Sequence, residues 1–314
     1  MNKIGNPKIL FGICLAVILV AVPPFIKNEF VLNILIFIGI NAILAMTNNL
    51  ILRTGIWFMG HVAFYAIGAY AVLVGTRYLN LSYWVIFPIA GVLAGLMALV
   101  FGYVTRKVKG IPFAILSVAL VEVVRLTIVT CMSGKPISCP SPDAILFWDF
   151  SEKIHYYYFV FLLAGLVLFF MHKVEKSRIG REINGIKENE EVAESLGINT
   201  GCFKVIILGI CCGVAGLAGA VFAPYAKIVG HTSFTLTRSI IIIIYAIVGG
   251  SDSLWGPVIG AAFLTILPEI LPGQASLQNI VYASAVLICL FFLPGGLVTL
   301  SGFFQDRRRP VEGA

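Results

Sequence analysis

The chain has 314 residues, of which 59% are hydrophobic and only 12% are charged, and its mean hydropathy is +0.98. Soluble domains are far less apolar, and ten membrane spans would leave no room for a soluble catalytic domain. The formal net charge is +7, but the basic residues lie in short segments between apolar runs, which fits orientation in a membrane better than binding of nucleic acid. The sequence therefore predicts an all-α polytopic membrane helix bundle that forms a single domain, residues 1–314.

Ten apolar segments predict ten membrane spans. They are Ile9–Ile26, Phe30–Leu50, Gly60–Gly75, Trp84–Val104, Ile111–Thr130, Tyr156–Met171, Val205–Pro224, Ser239–Gly250, Gly256–Leu271 and Gln278–Pro294. The first follows two lysines but lacks a small-residue cleavage site, so we interpret it as a span and not as a removed signal peptide. Ser239–Gly250 is short, and it either re-enters the membrane or crosses it with Phe234–Arg238 completing the helix.

The distribution of basic residues predicts the orientation of the chain. With the N-terminus in the cytosol, most of the 22 Lys and Arg residues fall in cytoplasmic segments, as the positive-inside rule requires. The basic cluster Arg307–Arg309 then lies inside only if Ser239–Gly250 crosses the membrane. We therefore expect both termini to be cytoplasmic.

The segment Lys173–Lys204 is the only long polar interval on the predicted cytosolic side. Asn189 is a good N-cap, and two glutamates follow it where the positive end of a helix dipole favours carboxylates. Gly197 suits the left-handed position that ends a helix. These signals predict a short helix, Glu190–Leu196.

The predicted helix carries a small apolar face formed by Val192, Ala193 and Leu196. A face of this size suits docking into a groove of a partner protein. The alternative is a solvated helix that only connects two spans, and the sequence alone leaves both interpretations open.

Motifs in order along nearly the whole chain resemble a known transporter family. Glu191-Val192-Ala193, with Gly197 six residues after the glutamate, is similar to the loop through which ABC importer permeases dock on their ATPases. The further matching motifs are Gly60-His61-Val62-Ala63-Phe64, Gly110-Ile111-Pro112-Phe113-Ala114, Glu122-Val123-Val124-Arg125, Ala215-Gly216-Leu217-Ala218-Gly219 and Val248-Gly249-Gly250-Ser251-Asp252. Together they resemble the branched-chain amino acid permease family, in its LivM-type branch.

The resemblance implies a membrane subunit of a binding-protein-dependent ABC importer in a bacterial or archaeal inner membrane. Its partners would be a second permease, two ATPase subunits and an extracytoplasmic substrate-binding protein. The chain contains no GxxxxGK[ST] phosphate loop, so we expect no enzyme activity and no bound cofactor, with ATP used by the separate ATPase. The resemblance also implies that Glu191, Val192, Ala193, Leu196 and Gly197 couple the permease to that ATPase.

The substrate and two rival functions stay open at this point. A branched-chain amino acid is the default substrate, but Gly55-Ile56-Trp57-Phe58-Met59 replaces polar family residues, which leaves urea, short amides and a more hydrophobic acid as alternatives. An ion-coupled secondary transporter would need deep acidic residues for coupling, and Glu122 alone lies deep. A membrane-embedded enzyme would rest on His61 and Glu122 without a nucleophile or metal constellation.

Five residues are candidates for a substrate pathway. Glu122 and Arg125 lie three apart on one face of a span, where they would receive an amino acid's two charges or form a structural ion pair. His61 is a pathway residue or a packed, hydrogen-bonded histidine. Gly249 and Gly250 line a gap in the bundle or form a tight turn between spans.

The seven cysteines form no CxxC pair, and we expect no metal site. Cys131 and Cys139 both fall at the predicted outer face, where an oxidising compartment allows a disulfide. Two free thiols are the alternative.

Overall fold

A computed structural model describes residues 28–132, 134–142, 153–269, 275–293 and 295–298. Within these ranges the chain is almost entirely helical, as the apolar periodicity predicts. The predicted span Ile9–Ile26 and the cluster Arg307–Arg309 lie outside the described residues, and the cytoplasmic placement of both termini stays a prediction.

The helices follow one another along the chain with short connections. They are α1 (Glu29–Arg53), α2 (His61–Arg77), α3 (Tyr83–Thr105), α4 (Ile111–Cys131), α5 (Lys153–Lys176), α6 (Arg178–Glu188), α7 (Glu190–Ser195), α8 (Thr200–Ala226), α9 (Leu236–Gly249), α10 (Gly256–Glu269) and α11 (Ala275–Phe292). A 3₁₀ turn, His231–Ser233, precedes α9. A short ribbon pairs β1 (Ile137–Ser138) with β2 (Ile228–Val229) in antiparallel orientation, Ile137 opposite Val229.

Among the described residues, six helical stretches are long and apolar enough to cross a membrane. Five are α1, α3, α4, α5 and α8, and the sixth is the 19-residue stretch His231–Gly249, which joins the 3₁₀ turn to α9. The predicted segments Gly60–Gly75 and Gly256–Leu271 do form helices, but α2 has 17 residues and α10 has 14. The predicted number of ten spans therefore stays a prediction.

The core is built on α1 and α8, which contact several neighbours each. Small residues allow a close crossing of α3 and α8, because Gly91 and Gly95 of α3 face Gly209 and Gly213 of α8, and a Cβ on Gly95 would lie 3.2 Å from the carbonyl oxygen of Gly209. These glycines are two of the small-residue pairs that the sequence contains. They act in packing, where lipid supplies no hydrophobic drive for helix association.

Helix α4 is the most loosely packed of the long helices. Only Phe113, Ser117 and Val121 are buried along it, and its main contacts within the described chain are with α2. Most of its surface is therefore free to face lipid or another protein.

The two ends of the bundle differ in structure. Helices α6 and α7 lie at one end, which we call the α7 end. The opposite end carries the β1–β2 ribbon, and we call it the ribbon end.

Candidate coupling segment and pathway residues

The polar interval folds into two consecutive helices, α6 and α7, that meet at Asn189. The side-chain Oδ1 of Asn189 accepts hydrogen bonds from the backbone N–H groups of Glu191 and Val192, at 3.0 and 3.1 Å. Gly197 follows α7 with φ +88°, a left-handed conformation that favours glycine. The predicted caps are present, and the helix ends one residue earlier than predicted because Leu196 takes the C-cap position.

The predicted apolar face of α7 is divided between two surroundings. Ala193 is only 3% exposed and faces the chain's own interior, whereas Val192 and Leu196 are 53% and 77% exposed. The expectation that all three side chains face outward is therefore corrected. The reason is that a helix lying against α6 and α8 turns one side inward, and the smallest of the three residues occupies that side.

An ion-pair cluster holds α7 against its neighbours, and we define it as Lys109, Glu190, Glu194, Thr200 and Lys204. The Nζ of Lys109 lies 3.1 Å from Glu190 and 3.5 Å from Glu194, and the Nζ of Lys204 lies 2.8 Å from Glu190. The Thr200 hydroxyl donates to Glu194 Oε1 at 2.6 Å. This α7 cluster connects the helix to the α3–α4 turn and to the start of α8.

The carboxyl groups of the α7 cluster are held in their charged form. Partial burial raises the pKa of Glu190, but hydrogen bonds from Lys204 and Lys109 together outweigh burial and lower it below 4.5. A hydrogen bond from Thr200 lowers the pKa of Glu194, and the charge of Lys109 adds to the effect. The hydrogen bond to Glu190 raises the pKa of Lys109. Both carboxylates are therefore ionised at neutral pH, as their lowered pKa values require.

Sequence reasoning missed the α7 cluster. The only available signal was the four-residue spacing of Glu190 and Glu194, which places both side chains on one helix face. Their partners Lys109 and Lys204 come from two separate connections, so their proximity depends on the fold.

The cluster borders an open cleft at the α7 end. The cleft has a volume of about 350 Å³ and lies between α7, the α3–α4 turn and the segment preceding α2, with Trp57 and Phe113 among its walls. Gly55, Ile56 and Trp57 of the apolar segment Gly55-Ile56-Trp57-Phe58-Met59 line this cleft. The Trp57 side chain is 56% exposed.

Buried apolar side chains and polar contacts attach α6 and its neighbours to the bundle. Ile183 and Ile186 are buried on its inner face, and Lys187 donates to Asp252 at 2.6 Å. Arg53, at the end of α1, pairs with Glu175 at 3.0 Å and donates through Nε to the carbonyl of Ser251 at 2.8 Å. These contacts join four parts of the chain at the α7 end, namely α1, α5, α6 and the turn between α9 and α10.

Glu122 and Arg125 lie on α4 and bond to each other. Arg125 Nε donates to both carboxylate oxygens of Glu122, at 3.1 and 3.0 Å, and a further contact runs from Nη2. The side chains are 47% and 27% exposed, and they lie on the loosely packed helix. The structure shows an ion pair at the surface of this chain, and a pathway role for the pair stays a prediction.

His61 is fully buried at the start of α2. Its Nε2 lies 2.8 Å from the Thr47 hydroxyl, and no hydrogen-bond partner for Nδ1 lies among the described residues. The Phe58 ring packs edge-on against the imidazole. These contacts fit the packed, hydrogen-bonded histidine that the sequence left as the alternative.

Gly249 and Gly250 form a tight turn between α9 and α10. A Cβ on Gly249 would overlap the carbonyl oxygen of Gly256, and Gly250 has φ +112°. The segment after α11 packs against this turn, since Leu297 N–H donates to the carbonyl oxygen of Val248 at 2.8 Å and Val298 N–H donates to that of Gly249 at 3.2 Å. Backbone atoms fill the space beside both glycines. This fits the tight turn, one of the two interpretations that the sequence left open, and a pathway role for the two glycines stays a prediction.

Cys131 and Cys139 are both free thiols in the structure. Cys131 is exposed at the end of α4, and Cys139 is buried beside the ribbon, 3% exposed. The structure therefore agrees with the second of the two alternatives from the sequence, in which both thiols are free. Within the described ranges, no three His, Cys, Asp or Glu side chains are grouped closely enough to hold a metal ion.

A bundle of long apolar helices with a polar helix pair attached to one end defines a polytopic membrane protein. The sequence model described as "Branched-chain amino acid transport system / permease component" matches residues 30–293. The chain therefore belongs to this family of transport permeases, and it is a multi-pass protein of the cell inner membrane.

Two curated relatives resemble the chain over most of its length. Both are named high-affinity branched-chain amino acid transport system permease protein LivM, from Escherichia coli strain K12 and from Salmonella typhimurium strain LT2. Each is 25% identical over 320 residues, which cover 93% of this chain and 75% of the relative. A solved structure, PsaBC from Streptococcus pneumoniae in complex with Fab, matches with a TM-score of 0.48 and 16% identity over 88% of this chain and 96% of that chain.

Proposed function

We propose that the chain is the membrane subunit of an ATP-driven, binding-protein-dependent importer for branched-chain amino acids. The observation that carries the proposal is the family match over residues 30–293. The names of the two curated relatives support the substrate class. Urea, short amides and a more hydrophobic acid are the alternatives within the same type of importer.

The α7 end supplies the surface for an ATPase subunit. Val192 and Leu196 are exposed beside the capped turn at Gly197, and exposed apolar side chains on a short helix suit insertion into a groove. Glu191 lies in the first turn of the same helix, and Ala193 supports it from within. The α7 cluster would pass a displacement of α7 to the α3–α4 turn, because it joins the two by ion pairs.

The exposed side of α4 supplies the surface for a second permease. Few of its residues are buried within this chain, and an exposed ion pair in a span is costly in lipid unless it faces protein or water. A sister subunit against α4 would enclose Glu122 and Arg125 between two permeases. The translocation pathway would then run beside this pair, with His61 and the Gly249–Gly250 turn as supports in the bundle.

The test is co-purification followed by reconstitution in liposomes. We expect the tagged chain to retain a second permease and an ATPase, and the liposomes to accumulate leucine only with ATP and a binding protein. Unlabelled valine and isoleucine should compete, whereas urea and acetamide should not. Leucine uptake by the chain alone, driven by a proton or sodium gradient, would instead establish the secondary-transporter alternative.

A further inference from the structure

A second cavity lies between α1, α9, α10 and α11, apart from α7 and from Glu122–Arg125. Its volume is about 340 Å³, within the roughly 300–1,000 Å³ typical of small-molecule sites. Its polar lining includes Asn41, Arg238, Thr265, Glu269 and Tyr282.

Asn41 holds Arg238 in place at one wall of the cavity. Arg238 Nη2 donates to Asn41 Oδ1 at 2.9 Å, and Asn41 Nδ2 donates to Thr265 Oγ1 at 2.9 Å. Asn41 is only 2% exposed. The guanidinium group has five N–H donors, and within the described part of the chain no carboxylate lies within 4.0 Å of it. A cation in a membrane bundle is expected to face a partner or a functional cavity.

Two further polar groups in the same cavity lack a partner among the described residues. The hydroxyl oxygen of Tyr282 is buried without a hydrogen bond. Glu269, at the end of α10, forms no ion pair with Arg238 although both line the cavity. This differs from Glu122 and Arg125, which satisfy each other directly.

Apolar side chains form the remaining wall, including Ile34, Phe37 and Leu264. The cavity thus combines a guanidinium group, a carboxylate and an apolar surface. An α-amino acid with an aliphatic side chain has the complementary groups, since its carboxylate suits the guanidinium and its ammonium suits the carboxylate. The phosphate of an anionic lipid would meet the repulsion of Glu269, and urea or a short amide would leave both charges unbalanced.

The geometry points to this cavity as a binding site for a zwitterionic aliphatic amino acid, with Arg238 receiving the carboxylate and Glu269 the ammonium group. Tyr282 supplies a further hydrogen bond. The inference rests on the proposed function, because it takes an amino acid as the cargo. It adds the place in the permease where that cargo is held.

The test uses the full chain in lipid nanodiscs with three probes: L-leucine, 4-methylpentanoate, which lacks the ammonium group, and 3-methylbutylamine, which lacks the carboxylate. We expect Arg238→Gln to weaken leucine binding at least about tenfold, as expected for loss of one charged hydrogen bond, without changing the binding of 3-methylbutylamine. We expect Glu269→Gln to weaken leucine similarly without changing the binding of 4-methylpentanoate. Glu29→Gln and Arg77→Gln are matched controls, since both alter exposed polar contacts elsewhere, and should bind leucine as the wild type does.

Several results would overturn the inference. These are no leucine binding by the wild type at millimolar concentration, equal leucine affinity in Arg238→Gln and the wild type, or a phospholipid that is retained in the cavity and does not yield to leucine. If Arg238→Gln fails to fold, Glu269→Gln decides alone, because Glu269 is an exposed side chain. Charge-selective leucine binding by a chain that never joins an ATPase would retain the site and reject the proposed function. ATP-driven leucine uptake that is unchanged in both variants would support the proposed function and reject the binding site.

Discussion

Glu190 at the start of α7 lies 2.8 Å from Lys204 near the start of α8 and 3.1 Å from Lys109 in the α3–α4 turn. One carboxylate thus joins three elements that are far apart in sequence. Lys204 is 15% exposed and Glu190 is 26% exposed, so this contact is better shielded than an ordinary surface pair.

Replacing Glu190 should loosen α7 from the bundle. In Glu190→Gln both cations lose their common partner, and we expect a local loss of about 1 kcal/mol together with a several-fold fall in leucine uptake per ATP hydrolysed. A spin label at position 195 would report greater mobility of α7. Glu188→Gln is the control, because Glu188 forms no ion pair within the described part of the chain. Equal mobility in both variants would contradict the role of the cluster.

The same contact should depend on pH in one direction. Because the folded pKa of Glu190 lies below the ordinary 4.5, its stabilising effect is complete above that value and is lost as the pH falls through the lowered pKa. The label on α7 should therefore become mobile in acid at a midpoint below 4.5 in the wild type. The Glu190→Gln variant should retain at most a weaker transition from Glu194, and an unchanged midpoint would argue against the assignment.

Gly197→Val should separate ATP hydrolysis from transport. The φ of +88° disfavours a β-branched residue, so the turn after α7 must change while the spans stay intact. We expect near-normal ATPase activity with little leucine uptake in proteoliposomes. Gly185→Ala is the control, since a Cβ there meets no atom within 4 Å. A fully active Gly197→Val variant would return the segment to being a linker.

Gly249→Ala should destabilise the bundle. The added Cβ would overlap the carbonyl of Gly256, and overpacking of this kind costs about 1–3 kcal/mol. The melting temperature in detergent should fall, and less of the variant should join the complex. The control is Gly165→Ala in α5, which adds a methyl group where no atom lies within 4 Å. Equal loss of stability in the two variants would disprove the close packing at the Gly249–Gly250 turn.

Cys131 and Cys139 should differ in reactivity. Burial raises the pKa of the Cys139 thiol to about 11, against the opposing effect of a hydrogen bond with Thr76, so its thiolate is scarce at neutral pH. Iodoacetamide should modify the exposed Cys131 quickly and Cys139 only after denaturation. Intact mass should not change on reduction, and a shift of two hydrogens would show the disulfide instead.

The charges of Glu122 and Arg125 should matter for transport if α4 faces the pathway. Glu122→Gln leaves the guanidinium group without its partner, and Arg125→Lys loses the two-oxygen contact, so we expect each to lower leucine uptake about tenfold. Complex assembly, judged by co-purification, should be retained. Normal transport in both variants would remove the pair from the pathway.

The outcome of the sequence predictions follows from the range of the interactions involved. The caps at Asn189 and Gly197 are local, since they depend on residues within a few positions, and they lie where the sequence predicts them. Ala193 was expected on an outward face, but whether a side chain faces in or out depends on how α7 lies against α6 and α8. Similarly, Gly249 and Gly250 predict a break, and only the approach of α10 and of the segment after α11 makes that break a closed turn.

The sequence by itself determined that this is a helical membrane protein, and its ordered motifs indicated the permease family, because composition and local spacing carry both signals. Tertiary structure alone decided which charges from separate elements meet. It gathers Lys109 and Lys204 on Glu190, and it leaves Arg238 and Glu269 on the wall of one cavity. Such contacts join helices whose order in the chain does not reveal their distance in space, and in a low-dielectric bundle that distance decides whether a charge is neutralised or available to a ligand.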